Sequence, residues 1–450
     1  MTSKLFIRCF CMALCALIAQ PSITKAQQTI TFQEAVRIAL DQNTQLRQSA
    51  NQVRISEINV QSARAAFLPN FNISSGTGTN FGLSFDTNVG ELRTTRNTRF
   101  NVNAFSSVNI FDGFQSQASL RQSRLAVESD DLRLNRQRQF VVFQVASQFL
   151  AYISAAEQIK VQQENLIAAT QLLSQIEEFV RVGTRPVSDL YQQQANVEQA
   201  ELAILQTEQL VQISEANLLQ ILRLDPLGSY EFIVPDLTED AFIPEDLDLT
   251  DLFMRAQQQR GDLRAQEVAV DAAAQGLRLA RSSSLPQLSF SAGAGSSFNS
   301  GIEQVGFIDQ LDRNFSQSVS LSLNLPVFNR LRTRTQVQRA QVSYDNAKLN
   351  VEAIEQQIGV EIRQAYLDYL TAEKQLDVSR RQLEFREQAL EAARERYNVG
   401  AATLVELTQA QSDFVQASQD EVTAKYTIFV RKRLIRYYTG ELNPTLPLFD

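Results

Sequence analysis

Carboxylates, lysines and serines are the reactive side chains available to this sequence. Histidine is absent, and all three cysteines, Cys9, Cys11 and Cys15, sit at the extreme N-terminus. Thiolate nucleophiles, Ser-His-Asp triads, disulfides and His- or Cys-based zinc sites are therefore excluded from the rest of the chain. The remaining carboxylates, lysines and serines form no spaced constellation that would place an acid, a base and a nucleophile together. Gly76-x-Gly78-x-x-x-Gly82 is glycine-rich, but its spacing is not that of a phosphate loop and no helix follows it. It reads as the small-residue face of a strand. The carboxylate with a legible local role is Glu406, because Thr403-Leu404-Val405-Glu406 is a capping box, in which Glu reaches back to the N-cap amide. Neither an enzyme nor a cofactor is expected.

The elements that position Glu406 are long. After Gly113 there is no Gly or Pro until Gly183, and Arg330 to Gly400 holds no Pro and one internal Gly, Gly359. A helix filling the first gap is about 100 Å long at 1.5 Å per residue. Leu, Ile, Val and Ala recur at spacings of three and four amid Gln, Arg and Glu, the pattern of packed helical hairpins. Gly183 and Gly400 suit left-handed helix C-caps, and Pro186 and Thr403 suit the restart of a helix.

The two stretches correspond because the chain repeats itself at a constant offset of 217 residues. Ala39, Leu46 and Arg47 match Ala256, Leu263 and Arg264; Leu68-Pro69 matches Leu285-Pro286; Tyr152 matches Tyr369; Val182-Gly183 matches Val399-Gly400. This is a tandem duplication, with halves at 27–232 and 248–440, a Pro- and acid-rich linker at 233–247 and a tail at 441–450. Each half reads as helix, strand hairpin, very long helix, sharp turn, helix. The first helix is expected from Thr31 to Phe67, ended by Pro69.

The strand hairpins, about 70–111 and 287–326, alternate with period two. Phe71, Ile73, Phe81, Leu83 and Phe85 alternate with Asn72, Ser74, Gly76, Gly78, Asn80 and Gly82; Phe100, Val102, Ala104, Val108 and Ile110 alternate with Arg99, Asn101, Asn103, Ser107 and Asn109. The second half repeats this with Leu288, Phe290, Ala292, Ala294 and Phe298, then Val319, Leu321, Leu323 and Leu325. Each run is near the ~9–11 residues a tilted strand needs to cross a bilayer. A soluble sheet lying on helices would alternate in the same way. In lipid, four strands cannot close a barrel, and open edges leave backbone groups unpaired, so a membrane-embedded chain must oligomerise. A dimer with eight strands and a trimer with twelve both satisfy this. The segments Asp86–Asn97 and Asn299–Asn314 are expected as cell-surface loops.

The N-terminus favours export. Lys4 and Arg8 precede an apolar run from Cys9 to Ala19, and Thr24 and Ala26 occupy the −3 and −1 positions of a cleavage site. Residues 1–26 are thus expected to be a signal peptide, too short in its apolar core for a membrane helix. Lipidation at Cys15 is disfavoured by Leu14 before it. Removing the leader leaves 39 of the 42 basic residues against all 50 acidic ones, a balance that argues against nucleic acid as a partner. No run of 18 apolar residues remains, so a helical membrane span is not expected.

In its duplication, its opening Thr31-Phe32-Gln33-Glu34-Ala35-Val36-Arg37-Ile38-Ala39-Leu40, its Leu-Pro strand starts, Asn109-Ile110-Phe111-Asp112-Gly113 and the paired turns, the chain resembles the outer-membrane efflux protein (TolC) family. The resemblance covers essentially the whole mature chain. It implies a mixed α/β membrane protein in which long antiparallel helical hairpins form a periplasmic tunnel. Four transmembrane strands per subunit would close a 12-stranded barrel in a homotrimer, set in outer-membrane lipid of a Gram-negative bacterium. The implied partners are a periplasmic membrane-fusion adaptor and an inner-membrane pump or exporter, with this chain as the passive exit duct. The other functional class is a non-conducting periplasmic spacer or tether anchored at the outer membrane. The implied adaptor-contact tips are Val182, Gly183, Thr184 and Val399, Gly400, Ala401. The implied aperture positions are Glu406, Gln409 and Tyr397; Gln409 stands where the family has a second acidic residue, which leaves the ring less charged. The family's bracing Arg falls on Ala402, so a rearranged brace would draw on Arg185 and Asp189 of the other turn. Three copies of Glu406 near a trimer axis would favour cations, and capping remains the alternative role for that residue.

Overall fold

The computed structural model describes residues 28–86, 89–233, 242–301 and 305–443. The expected signal peptide, the middle of the linker (234–241), the loop residues 87–88 and 302–304 and the end of the tail (444–450) lie outside the described residues.

Each repeat opens with two helices rather than the single one expected from Thr31 to Phe67. These are α1 (Phe32–Gln42) and α2 (Thr44–Ala65) in the first repeat. Asn43 causes the break: its backbone is extended and its side chain accepts the Leu46 N–H at 3.0 Å, which starts a new helix where the old one would have continued. The long helices follow as expected, α3 (Gln115–Arg181) and α4 (Val187–Leu222). The second repeat gives α5 (Leu249–Gln259) and α6 (Gly261–Ser282), again broken by an extended residue, Arg260. After a short α7 (Phe307–Arg313) come α8 (Arg332–Asn398) and α9 (Leu404–Thr439). Counterpart helices have equal lengths of 11, 22, 67 and 36 residues.

The main core wraps the middle of α3. Val141, Val145, Phe149 and Ile153 are buried against α1, the end of α4, α5, Tyr369 of α8, and Ile428 and Phe429 of α9. Phe32 meets Phe149 edge-on at 5.4 Å. By composition alone α3 contains a stretch apolar enough to cross a membrane, contrary to the expectation of none, but its large apolar residues belong to this core. A parallel pair of short strands, β1 (Gln28–Ile30) and β4 (Tyr230–Phe232), ties the start of the first repeat to its end. The described half of the linker is docked: Phe242 lies 6.1 Å from Phe429, and the Tyr369 hydroxyl donates to the Glu245 carbonyl at 2.8 Å. At the break before α6, Arg260 is 3% exposed and pairs with Asp262 at 2.5 Å and Glu361 at 2.6 Å. Gly440 passes this point in the left-handed region (φ 84°), where any Cβ would lie 2.9 Å from the Arg260 nitrogen.

The strands form one four-stranded antiparallel sheet in the order β2-β3-β5-β6, with β2 (Asn70–Asp86), β3 (Glu91–Phe111), β5 (Gln287–Asn299) and β6 (Ser316–Asn324). The two hairpins are joined edge to edge by β3 and β5. Their register carries one apolar face across all four strands: Ile73 opposes Ala104, Ala104 opposes Ala294, Phe100 opposes Phe298, and Phe290 opposes Leu321. Asn103, Gly295 and Ser316 fall on the other face, with Phe105 as its apolar exception. Ile110 lies at a register shift between Asn109 and Phe111. The segment expected as a loop from Asp86 to Asn97 is mostly strand, because β2 and β3 stay paired up to Asp86 and Glu91. The loop after Asn299 contains α7, a helix that the sequence reading did not anticipate.

Both repeats leave the sheet through two successive left-handed residues, Gly113–Phe114 and Arg330–Leu331. In the first, a Cβ at Gly113 would stand 2.8 Å from the Ser282 carbonyl oxygen, so backbone geometry and space both demand glycine.

Candidate functional site

The distal ends of the helical hairpins are two turns of the same construction. At the first, Gly183 (φ 75°) donates its N–H to the Val180 carbonyl at 3.0 Å and Thr184 donates to the Phe179 carbonyl at 2.9 Å. At the second, Gly400 (φ 78°) donates to Tyr397 at 3.0 Å and Ala401 donates to Arg396 at 2.7 Å. This paired bonding satisfies the last carbonyls of each long helix and requires a left-handed residue after the C-cap. Nothing lies within 4 Å of a Cβ placed on Gly183 or Gly400, so conformation alone selects glycine there. Val182 and Val399 project from the tips as exposed residues. Pro186 and Thr403 are the N-caps of α4 and α9.

Beneath the turns, Ile176, Leu390, Tyr397, Ala402, Leu404 and Leu407 form a small second core that joins the two hairpins. Tyr397 is its largest member and fully buried. Arg185, from the first turn, lays its guanidinium over the Tyr397 ring at 4.3 Å and donates from Nη2 to the Tyr397 carbonyl at 2.7 Å. That carbonyl sits at the negative end of α8, where a cation is favoured. The Tyr397 hydroxyl is buried with no described hydrogen-bond partner. Burial pushes its pKa up; Arg185 opposes the shift and Asp189 adds to it. Asp189 acts on the tyrosine through its charge, and its backbone opens α4.

Glu406 accepts the Thr403 hydroxyl at 3.3 Å, while its own N–H donates to that hydroxyl at 3.3 Å. This is half a capping box, because the carboxylate meets the Thr403 hydroxyl rather than its N–H; the same carboxylate takes Arg396 Nη2 at 3.1 Å. The sequence reading missed Arg396, although an Arg three residues before the C-cap Val399 is suitably placed to reach over the turn. Gln409 donates to Asp413 at 2.8 Å, and Asp413 pairs with Arg386 at 2.6 Å. The structure thus brings Arg185 and Tyr397 together and keeps Glu406 and Gln409 on a separate, ion-paired strip of α9. Between the hairpins runs a groove of about 690 Å³ walled by amides, among them Gln162, Gln175, Gln193, Gln411 and Gln416. Among the described residues no carboxylate cluster suits a metal ion.

The model of the outer membrane efflux protein family matches residues 35–222 and again 252–441. The chain is 25% identical over 410 residues to the protein CyaE of Bordetella pertussis, covering 91% of this chain and 84% of CyaE. It is 22% identical over 409 residues to the outer membrane efflux protein BepC of Brucella suis, covering 88% and 84%. The outer membrane channel CmeC of Campylobacter jejuni has the same fold, with a TM-score of 0.77 at 19% identity over 93% of this chain and 87% of that one. The four-stranded apolar wall, the paired long hairpins and the double family match agree: the chain belongs to the outer membrane efflux protein family, an outer-membrane exit duct whose helical part stands in the periplasm.

Proposed function

We propose that three copies of this chain close a twelve-stranded barrel in the outer membrane and a helical tunnel below it. In this reading the chain is the passive, gated exit of a tripartite efflux or type I secretion system. The observation that carries it is the single apolar face continuous across β2, β3, β5 and β6, with an open edge at each end of the sheet. Open edges in lipid cost several kcal/mol per unpaired group, and pairing β6 of one copy with β2 of the next removes them. The turns at Val182-Gly183-Thr184 and Val399-Gly400-Ala401 are the surfaces that meet a periplasmic adaptor, and an inner-membrane pump or exporter supplies the energy. Arg185 on Tyr397 holds the two hairpins of a subunit together at the closed tip. Glu406, moderated by Arg396, lines the mouth with Gln409.

Fractionation followed by mass measurement tests this. The protein is separated into inner- and outer-membrane fractions, extracted gently in detergent, and weighed as an intact oligomer. Three chains from the outer membrane, conducting in a planar bilayer, are the expected result. A monomer free in the periplasm would favour a non-conducting spacer and overturn the duct.

A further inference from the structure

The outer end of β5 carries a feature that the duct does not require. β6 pairs with β5 only from Gln287–Asn324 to Gly295–Ser316, yet β5 runs on to Asn299, still paired with β3 on its other side. The groups of Ser297 and Asn299 that face the vacated side would be bare backbone. They are covered by side-chain amides instead. The Asn299 N–H donates to Gln310 Oε1 at 2.9 Å, and Gln310 Nε2 donates to the Asn299 carbonyl at 3.2 Å and to Val305 at 2.9 Å. Asn314 Nδ2 donates to the Ser297 carbonyl at 2.6 Å. Gln310 is 2% exposed, so one carboxamide reproduces the two bonds that a neighbouring strand would make.

These amides fix α7 against the sheet, and the aromatic contacts show which face it lies on. The Phe307 ring packs 5.6 Å from Phe100 and 5.0 Å from Phe298, both on the apolar face. Outward, α7 presents Ile308 at 78% exposure, with Phe307 and Phe315 also exposed, beside Asp309, Asp312 and Arg313. An apolar knob with a charged margin, continuous with a lipid-facing wall, matches the boundary between headgroups and acyl chains.

We propose that α7 is a clasp seated in the outer-leaflet interface of the membrane, where Gln310 and Asn314 replace strand pairing and Phe307 and Ile308 enter the lipid. The inference rests on the reading of the apolar face as lipid-facing. Because the chain contains no tryptophan, a single Trp reports its own site. Ile308→Trp and, as a wall reference, Val319→Trp are reconstituted in phosphatidylcholine vesicles whose acyl chains carry bromine either near the headgroup or near the chain end. With α7 lying ~5–10 Å into the boundary, Trp at 308 should be quenched roughly twofold more by shallow than by deep bromine. Trp at 319 should respond to bromine at either depth. Adding Gln310→Ala should make position 308 accessible to aqueous iodide without changing position 319. If 319 is quenched by lipid and 308 only by iodide, α7 is a surface loop and the clasp is refuted. If 308 escapes both quenchers, a second copy covers it and the clasp is equally refuted. If 319 itself escapes lipid bromine, the lipid-facing wall has failed, and the clasp with it.

Discussion

Removing the Arg185 guanidinium should loosen the tip while leaving the rest of the duct intact. Arg185 makes two contacts that bridge the hairpins, the hydrogen bond to the Tyr397 carbonyl and the stack on its ring. A hydrogen bond from a charged group contributes about 1.5–3 kcal/mol, and a partly desolvated cation–π contact about 0.5–2 kcal/mol. Separating the hairpins breaks both, so Arg185→Ala should shift the balance between closed and open tips by about 3 kcal/mol. That is on the order of 10² in the ratio per subunit. Arg185→Lys keeps the charge but loses the flat, forked donor, and should fall between wild type and Ala. Tyr397→Phe supplies the contrast. It retains the ring and the backbone carbonyl and deletes a buried hydroxyl that has no described partner. It should leave gating near wild type, with stability unchanged or raised by about 1 kcal/mol. Single-channel recording in planar bilayers reads these outcomes as open fraction and conductance. The reasoning is refuted if Arg185→Ala stays as closed as wild type, or if Tyr397→Phe opens the tip as far as Arg185→Ala does.

Three further outcomes are expected. Gly183→Ala should cost about 1–2 kcal/mol from left-handed geometry alone, whereas Gly440→Ala should cost more, because its Cβ also meets backbone at 2.9 Å; thermal unfolding of the two variants gives the ranking. Glu406→Gln should weaken cation selectivity and Arg396→Gln should strengthen it, since each removes one partner of the same 3.1 Å pair; reversal potentials under a salt gradient decide, and unchanged values in both would remove Glu406 from the mouth. Burial alone would push the Asp262 carboxyl up, but the hydrogen bonds and charge of Arg260, with Arg136 and the Leu263 N–H, hold it below the usual aspartate range. Its folded value being depressed, its contribution is complete above the unfolded value of ~3.9 and is lost as pH falls through the folded value. Asp262→Asn should therefore flatten the acid limb of a melting-temperature profile, and should cost roughly 3 kcal/mol at neutral pH by leaving Arg260 short of a counter-charge.

Legibility in the sequence followed the range of the interaction. The 67-residue helices were readable because no residue between Gly113 and Gly183 can stop a helix. The strand faces were readable because period two is local, and register then had only to align them. The break at Asn43 has neither Gly nor Pro beside it, and an Asn able to cap the next turn was the available sign; at Arg260 the sign was Gly261, which opens the second helix. α7 is two turns long, too short for a periodic signal, and its anchoring Gln310 is set by a strand edge left open by β6. At the tip, the family resemblance put Arg185 in view as a brace. Its partner at Tyr397 is 212 residues away and depends on how the hairpins pack. Arg396 was missed for a related reason, because its link to Glu406 crosses a turn whose shape had first to be known.

The Arg185–Tyr397 contact also bears on the duplication. The turns occupy equivalent places in two equal-length hairpins, and in register Arg185 corresponds to Ala402 and Tyr397 to Val180. One half supplies the cation and the other the ring, so the two turns divide the contact between them. In the trimer proposed above, six copies of either half set in a ring would match the number of hairpins but not form the latch, since neither half holds both members. The latch therefore exists only while the two halves are joined or held side by side, and parting them would leave the tip unfastened.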